Sequence, residues 1–391
     1  MRILILNWRD IKHPLAGGAE IATHEHAKEW VRRGHEVTQF SSSIKGESAF
    51  DTIDGVKIIR RGNHYTVHIR AFFYYIMNLR QKIDLVVDEF HFIPFFTPLY
   101  VSKKKMAIIH ETAEEVWFKN QGFPINILGF FIEPFFFKLY ASVPFMTVSE
   151  STKKDLMRFG IKSKNIHIVN CGATIIESKN KKEKNPTLIY LGRLAKDKAT
   201  EDALMAFYYT QKTFKDTVLW IVGREEMEGY SNTLREITKK LHIEKKVIFF
   251  DYVSEKKKFD LLKKAWILIH PSVKEGWGLT VVEAASQGTP TVAYNTSGLR
   301  DSIVHNKTGI LVDDRKPESL ANSIVELIGN SSLYNNLSSN AYRWSKSFKW
   351  EDSVQKSVTL IESITLKLFL LFQRFYLIYS LFLEGRYLYA I

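Results

Sequence analysis

Apolar and polar positions along this chain follow the rhythm of strands and helices taking turns. Near the N-terminus "RILILNW" is a continuous apolar run, the pattern of a strand covered on both faces. The stretch "RDIKHPLAGGAE", with Pro14 and the pair Gly17–Gly18, reads as a loop. Residues 19–33 then set Ala22, Ala27, Trp30 and Val31 on one side, which predicts a helix stopped at Gly34. "HEVTQFSS" returns to the strand pattern. Further strands are expected at Val56–Arg60, Asp84–Val87, Met106–Ile109, Phe145–Val148 and His167–Val169.

After residue 170 a polar linker, "ESKNKKEKNP", interrupts the rhythm, which then restarts. "TLIYLGRL", "TVLWIVGRE", "KVIFFDYV", "WILIHPS" and "PTVAYN" read as strands. Helices are expected near 200–212, at 230–241 and, clearly amphipathic, after Pro317. Strands alternating with helices predict parallel, doubly wound sheets, and 391 residues suit two domains. The expected division is a first Rossmann-like domain over 1–174, a linker over 175–186, a second domain over 187–345, a helix over 346–363 and a tail over 364–391. Two facing domains of this class leave a cleft at the carboxyl ends of their strands, where such sheets bind ligands.

Composition adds a charge of +13 and an aromatic fraction of 13%. Excess positive charge points to an anionic partner or simply to a solvated surface; the runs Lys103–Lys105 and Lys256–Lys258 read as the latter. The single cysteine, Cys171, excludes an internal disulfide and a cysteine-rich zinc site, which fits a cytoplasmic setting. It reads as a small buried residue. His24 and His26 stand two apart on a helix, point to different faces and do not suggest a metal. The apolar run Ile3–Leu6 is too short for a signal-peptide core.

Candidate chemistry concentrates in two loops of the second half. In "KEGWGLTVVEAASQGTP", Gly276 and Gly278 permit a tight turn, and a helix is expected from near Leu279 to Gly288. Its first amides and positive dipole end make a phosphate site. Glu275 stands at the mouth of that helix and Glu283 about one turn inside. A carboxylate at Glu283 suits two hydroxyls of a ribose, with Glu275 reaching the group beyond the phosphates. A tight turn closed by a capping acid is the competing reading. The second loop, "LGRLAKDKATEDAL", holds Arg193 and Lys198, cations that can neutralise a diphosphate. No Asp-x-Asp pair is placed for magnesium, so no metal is expected.

Gly17–Gly18–Ala19–Glu20, "GRLAKDK" and Glu275-x7-Glu283, with "HPS" before it and "G-x-P" after it, together resemble the glycosyltransferase family 4 pattern over roughly residues 1–362. The resemblance implies the GT-B fold and transfer of a sugar from a nucleotide-diphosphate donor, with retention and without a metal or other cofactor. It implies that Glu283 binds the donor ribose and Glu275 the donor sugar hydroxyls. Arg193 and Lys198 would neutralise the diphosphate with the amides of Gly276, Gly278, Leu279 and Thr280. Gly17 and Gly18 would close on the donor from the other domain. It also places His110, in "IIHETAEEVWF", against the donor sugar, and it implies that the helix over 346–363 crosses back onto the first domain. Where relatives show Phe-x-Gly near the nucleoside, this chain has "FFDYV" with Asp251 in the glycine's place.

Two stretches, "NHYTVHIRAFFYYIMNLRQK" and "GFFIEPFFFKLYASVPF", combine aromatics with cations and suit a membrane interface or an aromatic core. The tail "TLKLFLLFQRFYLIYSLFLEGRYLYAI" is too interrupted by charge to span a bilayer and reads as an interfacial or subunit-contact helix. The expectation is a hexosyltransferase-type enzyme peripheral on a cytoplasmic anionic membrane face, with a glycan or glycolipid acceptor and no nucleic acid. Alternatives are a nucleotide-sugar epimerase or phosphorylase, and a non-catalytic membrane-docked sugar-nucleotide binder. An NAD enzyme is disfavoured because "GGAE" lacks the Gly-x-Gly-x-x-Gly spacing.

Overall fold

A computed structural model of the chain describes residues 1–175 and 182–365. Strands form on the apolar runs of both halves, and each half builds its own sheet. In the first half these are β1 (Arg2–Leu6), β2 (Glu36–Ser41), β3 (Phe50–Ile53), β4 (Val56–Arg60), β5 (Leu85–Phe90), β6 (Lys104–Ile109), β7 (Phe145–Thr147) and β8 (Ile166–Ile168). They are ordered β3-β4-β2-β1-β5-β6-β7-β8. Between them run α1 (Gly18–Arg32), α2 (Val67–Tyr74), α3 (Val116–Asn120), α4 (Ile125–Leu139) and α5 (Glu150–Arg158).

The second half repeats the scheme with β9 (Thr187–Leu191), β10 (Val218–Val222), β11 (Val247–Phe250), β12 (Ile267–His270), β13 (Thr291–Tyr294) and β14 (Gly309–Val312). Their order is β11-β10-β9-β12-β13-β14, all parallel. The helices are α6 (Thr200–Thr213), α7 (Tyr230–Lys240), α8 (Glu255–Lys264), α9 (Leu279–Ser286), α10 (Leu299–Ser302), α11 (Pro317–Gly329) and α12 (Ser331–Ser345).

Every strand of the second sheet feeds two cores, as continuous apolar runs require. One face of that sheet packs Leu188, Leu219 and Ile269 against Phe207 of α6 and Leu320 of α11. The other packs Ile189, Trp220 and Leu268 against Leu262 of α8 and Val281 of α9. In the first domain α2, α4 and α5 share one face, and α1 covers the other. Residues 350–365 are helical and return to that other face, where Val358, Leu360 and Ile361 pack with Ile3, Ile5 and Trp30. The Trp30 indole donates to Ser357 Oγ at 3.0 Å.

One strand falls outside the expectation of purely parallel sheets. β3 pairs antiparallel with β4 through a turn at Asp54 and Gly55, whose φ values are +49° and +82°. An Asp-Gly pair between apolar runs is the hairpin signal, so this strand was available in the sequence. The tail expected over 364–391 lies outside the described residues from 366 onward. No helix among the described residues is long and apolar enough to cross a membrane.

The returning helix is a structural part of the first domain. Ile361→Ala is predicted to cost about 2–5 kcal/mol, the range for emptying a buried aliphatic site. Thermal unfolding checks this. An unchanged midpoint would mean that the helix is a tether and not part of the core.

Candidate active site

The strand order places the chemistry before any side chain is considered. In the second sheet the order reverses between β9 and β12, so the loops following these two strands diverge and leave a crevice at their carboxyl ends. Arg193 and Lys198 stand on the loop after β9, and Glu275 on the loop after β12. From that second loop α9 starts with Gly278 at its N-cap, at φ +86°. The first amides of α9 therefore open onto the crevice without partners inside the helix. Thr280, in its first turn, holds its hydroxyl 3.1 Å from His270 Nε2.

Lys198 Nζ lies 2.9 Å from Glu275 Oε1 and 3.4 Å from Asp197. Burial alone would push the Glu275 carboxyl up, but Lys198 and then His270 hold it down, to about 2. Burial likewise opposes the Lys198 charge, yet Glu275, Asp197 and Glu111 raise its proton affinity above the ordinary lysine value. Arg193 pairs with Glu226 at 2.5 Å. The loop that carries Arg193 is pinned by the Tyr190 hydroxyl, which donates to the Arg193 carbonyl at 2.7 Å.

Glu283, on α9, is buried and its Oε1 accepts from Lys258 Nζ of α8 at 2.7 Å. Burial raises this carboxyl despite Lys258. Here the expectation of a solvated Lys256–Lys258 run needs correction. Lys258 is turned inward, with its side chain only 12% exposed, because α8 packs against α9 and Glu283 needs a counter-charge.

The first domain supplies the opposite wall, and two glycines mark where the domains meet. A Cβ on Gly18 would stand 3.0 Å from Leu279 Cδ1, and one on Gly276 would stand 2.6 Å from the His110 carbonyl oxygen. A side chain at Gly276 would hold the domains apart, whereas one at Gly18 would displace the Leu279 side chain. Between these contacts Ala22, Val148 and Cys171 of the first domain pack with Trp277 and Val282 of the second. Beside Glu275, Lys274 reaches across the boundary. Its ammonium donates to Thr112 Oγ1 at 2.7 Å, pairs with Asp155 at 3.2 Å and makes its closest contact with Glu114.

Behind Gly17 and Gly18 lies a buried polar chain at the first domain's own switch point, between β1 and β5. Glu20 accepts from the Gly17 amide at 2.6 Å and from Arg9 Nε at 2.8 Å. Its Oε1 also lies 3.3 Å from His91. His91 and His110 each stand 3.3 Å from Glu89 Oε1, and Thr23 donates to Glu89 Oε2 at 2.7 Å. Burial opposes a charged His110 ring, but Cys171 and Glu89 beside it raise its proton affinity to about 10. His110 is thus set in the cleft wall with its imidazole directed at Glu89. His24 pairs with Asp54 at 2.8 Å, while His26 is buried.

Several residues here escaped the sequence reading: Arg9, Glu89, Lys258, Lys274 and Glu111. Glu111 follows His110 at the end of β6, and its buried Oε2 has no hydrogen-bond partner among the described residues. Burial, with repulsion from Glu275 and Asp197, raises this carboxyl to about 7 against the pull of Lys198 and Lys274. The adjacency of "HE" to the predicted His110 was the one available signal.

Comparison with known proteins agrees with this arrangement. The family of glycosyl transferases group 1 matches residues 173–344, and Glycosyltransferase Family 4 matches residues 16–175. An uncharacterized glycosyltransferase of Haemophilus influenzae is 25% identical over 340 residues, covering 85% of this chain and 93% of its own. Among solved structures, sucrose-phosphate synthase from Thermosynechococcus elongatus superposes with a TM-score of 0.76 at 16% identity, covering 93% of this chain and 98% of its own. Anabaena Alr3699/HepE in complex with UDP-glucose does so at 0.72 and 16%, covering 93% and 100%.

The His110–Glu89 contact has a pH signature. A proton affinity raised from 6.5 to about 10 by Cys171 and Glu89 means that the charged ring contributes stability in full below pH 6.5, which is lost as pH rises through about 10. Glu89→Gln should move the His110 titration down, with Cys171 still holding part of the rise. Ring-nitrogen NMR checks this, and an unmoved titration would remove Glu89 as the partner.

Proposed function

This chain belongs to the group 1, family 4 glycosyltransferases of GT-B fold, and we propose that it moves a hexosyl group from a nucleoside diphosphate sugar to an acceptor hydroxyl, with retention and without a metal. The observation that carries the reading is the meeting of Lys198, Glu275 and the α9 N-terminus at one switch point, faced by Gly17 and Gly18. A UDP-hexose is the donor to test first, by likeness to HepE. The diphosphate would lie against the α9 amides, its charge balanced by Arg193, Lys198 and the helix end. Glu283 would take ribose hydroxyls through Oε2 while Lys258 keeps Oε1. Glu275, ionised throughout the neutral range, would take hydroxyls of the sugar, and protonated Glu111 could donate beside it.

In the proposed step the bond from C1 to the β-phosphate oxygen breaks. A bond from the acceptor oxygen to C1 forms on the same face. The acceptor proton passes to the departing phosphate oxygen, so no protein nucleophile is required. Lys198 and Arg193 stabilise charge that grows on that oxygen as it leaves, and this is where preorganised cations lower a barrier most. Cleft closure around Gly18 and Gly276 excludes water, which would otherwise divert the donor to hydrolysis. The acceptor proposed is a glycan or glycolipid presented at a membrane surface, because the first-domain helices that combine aromatics with cations leave large apolar side chains exposed.

Two outcomes test the reading. UDP should raise the thermal midpoint of the wild type and fail to do so for Glu283→Ala. Lys198→Ala should lower kcat by roughly 10²–10³-fold, the range for losing one charge-stabilising group, with or without a chelator present. Wild-type turnover that collapses with chelator, or Lys198→Ala turnover near normal, would sink it.

A further inference from the structure

α4 is a fifteen-residue helix of sequence INILGFFIEPFFFKL that buries only two side chains, Glu133 and Phe137. Ile125, Leu128, Ile132, Phe135 and Leu139 follow one another at heptad spacing and all are exposed, as is Phe131 between them, at 65%. In an ordinary amphipathic helix the apolar stripe faces the core. Here the acid faces inward. Glu133 accepts from the Ala113 amide at 2.7 Å, the Glu114 amide at 2.8 Å and the Trp117 indole at 3.1 Å. The helix is anchored by its one carboxylate and Phe137, and turns Phe130, Phe131 and Phe135 out.

The exposed stripe continues onto a second helix. α2 shows Ile69 and Phe73, and the turn after it shows Met77 at 71%. Phe72 against Tyr100, His68 against Phe95, and Phe96 against Phe136 link α2 to α4 through the loop 95–100, so both lie on one face of the domain. Within these two helical segments the exposed charges have one sign, although Asp84, Glu115 and Glu150 lie just outside them. Residues 61–83 hold Arg61, Arg70, Arg80 and Lys82 and no acid, and residues 116–139 add Lys119 and Lys138 with only the buried Glu133.

We propose that the α2–α4 face is a docking surface for an anionic lipid bilayer, with the phenylalanines among the acyl chains and the cations at the phosphate level. An apolar stripe of this size rimmed by cations is the arrangement of an interfacial helix. A symmetric second copy would instead bring the same cations against one another, which disfavours that occupant. Docking has a consequence for the cleft, because Glu133 holds the loop whose Glu114 grips Lys274, next to Glu275. The proposal deepens the reading of a membrane-presented acceptor and rests on it only for its purpose; the docking itself stands on exposure and charge.

The test is sedimentation of the full chain with vesicles of phosphatidylcholine alone or mixed with phosphatidylglycerol. Wild type should bind the anionic vesicles and release them at high salt. Phe131→Glu/Phe135→Glu should bind at least about tenfold more weakly, the loss expected when two rings leave the interface. A UDP thermal shift on the same samples, without lipid, shows that the variant is folded and reports the donor site independently. Undiminished binding by the folded variant would overturn the proposal and place attachment elsewhere in the chain. Absence of wild-type binding would overturn it too, and a dimer that the variant splits would then assign the face to a second copy.

Discussion

Lys274 places a positive charge inside the boundary between two domains, and both anions that compensate it, Glu114 and Asp155, come from the opposite domain. A buried charge deprived of its partner typically costs about 3–5 kcal/mol, so the halves cannot separate here without rehydrating all three groups. That requirement fixes the loop on which Glu275 is the very next residue. It also presses Gly276 against the His110 carbonyl, where a Cβ would stand 2.6 Å away, and Gly18 against the Leu279 side chain, which would have to shift to admit one. Surface pairs across the same boundary, such as Arg315 with Glu115, are exposed and contribute far less.

The second constraint is topological. Both sheets reverse their strand order once in the middle, and each reversal opens a crevice at the carboxyl ends. In the second domain that crevice gathers cations and a helix N-terminus; in the first it gathers Arg9, Glu20, Glu89 and two histidines. In the proposed function, the crevice of the second domain holds the diphosphate. The other is a buried polar cluster in which Glu89 Oε1, His91 Nε2 and His110 Nε2 stand at 3.3 Å, within ion-pair distance of carboxylate or imidazole partners, but make no hydrogen bond among the described residues.

Much of this was legible in the sequence because it is local. Continuous apolar runs named the strands, and the glycines before Leu279 named the turn into α9. Glu275, Arg193 and Lys198 stand out because their loops follow strands, and Glu283 because it lies one turn into the helix that starts there. What stayed hidden was the set of partners. Lys258 sits in a run of three lysines and only the packing of α8 on α9 turns it toward Glu283. Nothing local marks Lys274, whose carboxylates come from the other domain. β3 was missed although Asp54–Gly55 signalled its hairpin. The aromatic stripe of α4 was ambiguous for a different reason: periodicity reports a face, and only the fold says whether the face is covered.

In the proposed function a diphosphate sits on the α9 N-terminus between Lys198 and Arg193, within a cleft closed on Gly18. A crystal structure of the chain soaked with UDP-hexose in metal-free buffer tests it most directly. The account predicts phosphate oxygens within hydrogen-bond reach of the Leu279 and Thr280 amides and of Lys198, with ribose hydroxyls at Glu283 beside Lys258. A diphosphate bound elsewhere, or bound only when a divalent cation is added, would contradict it.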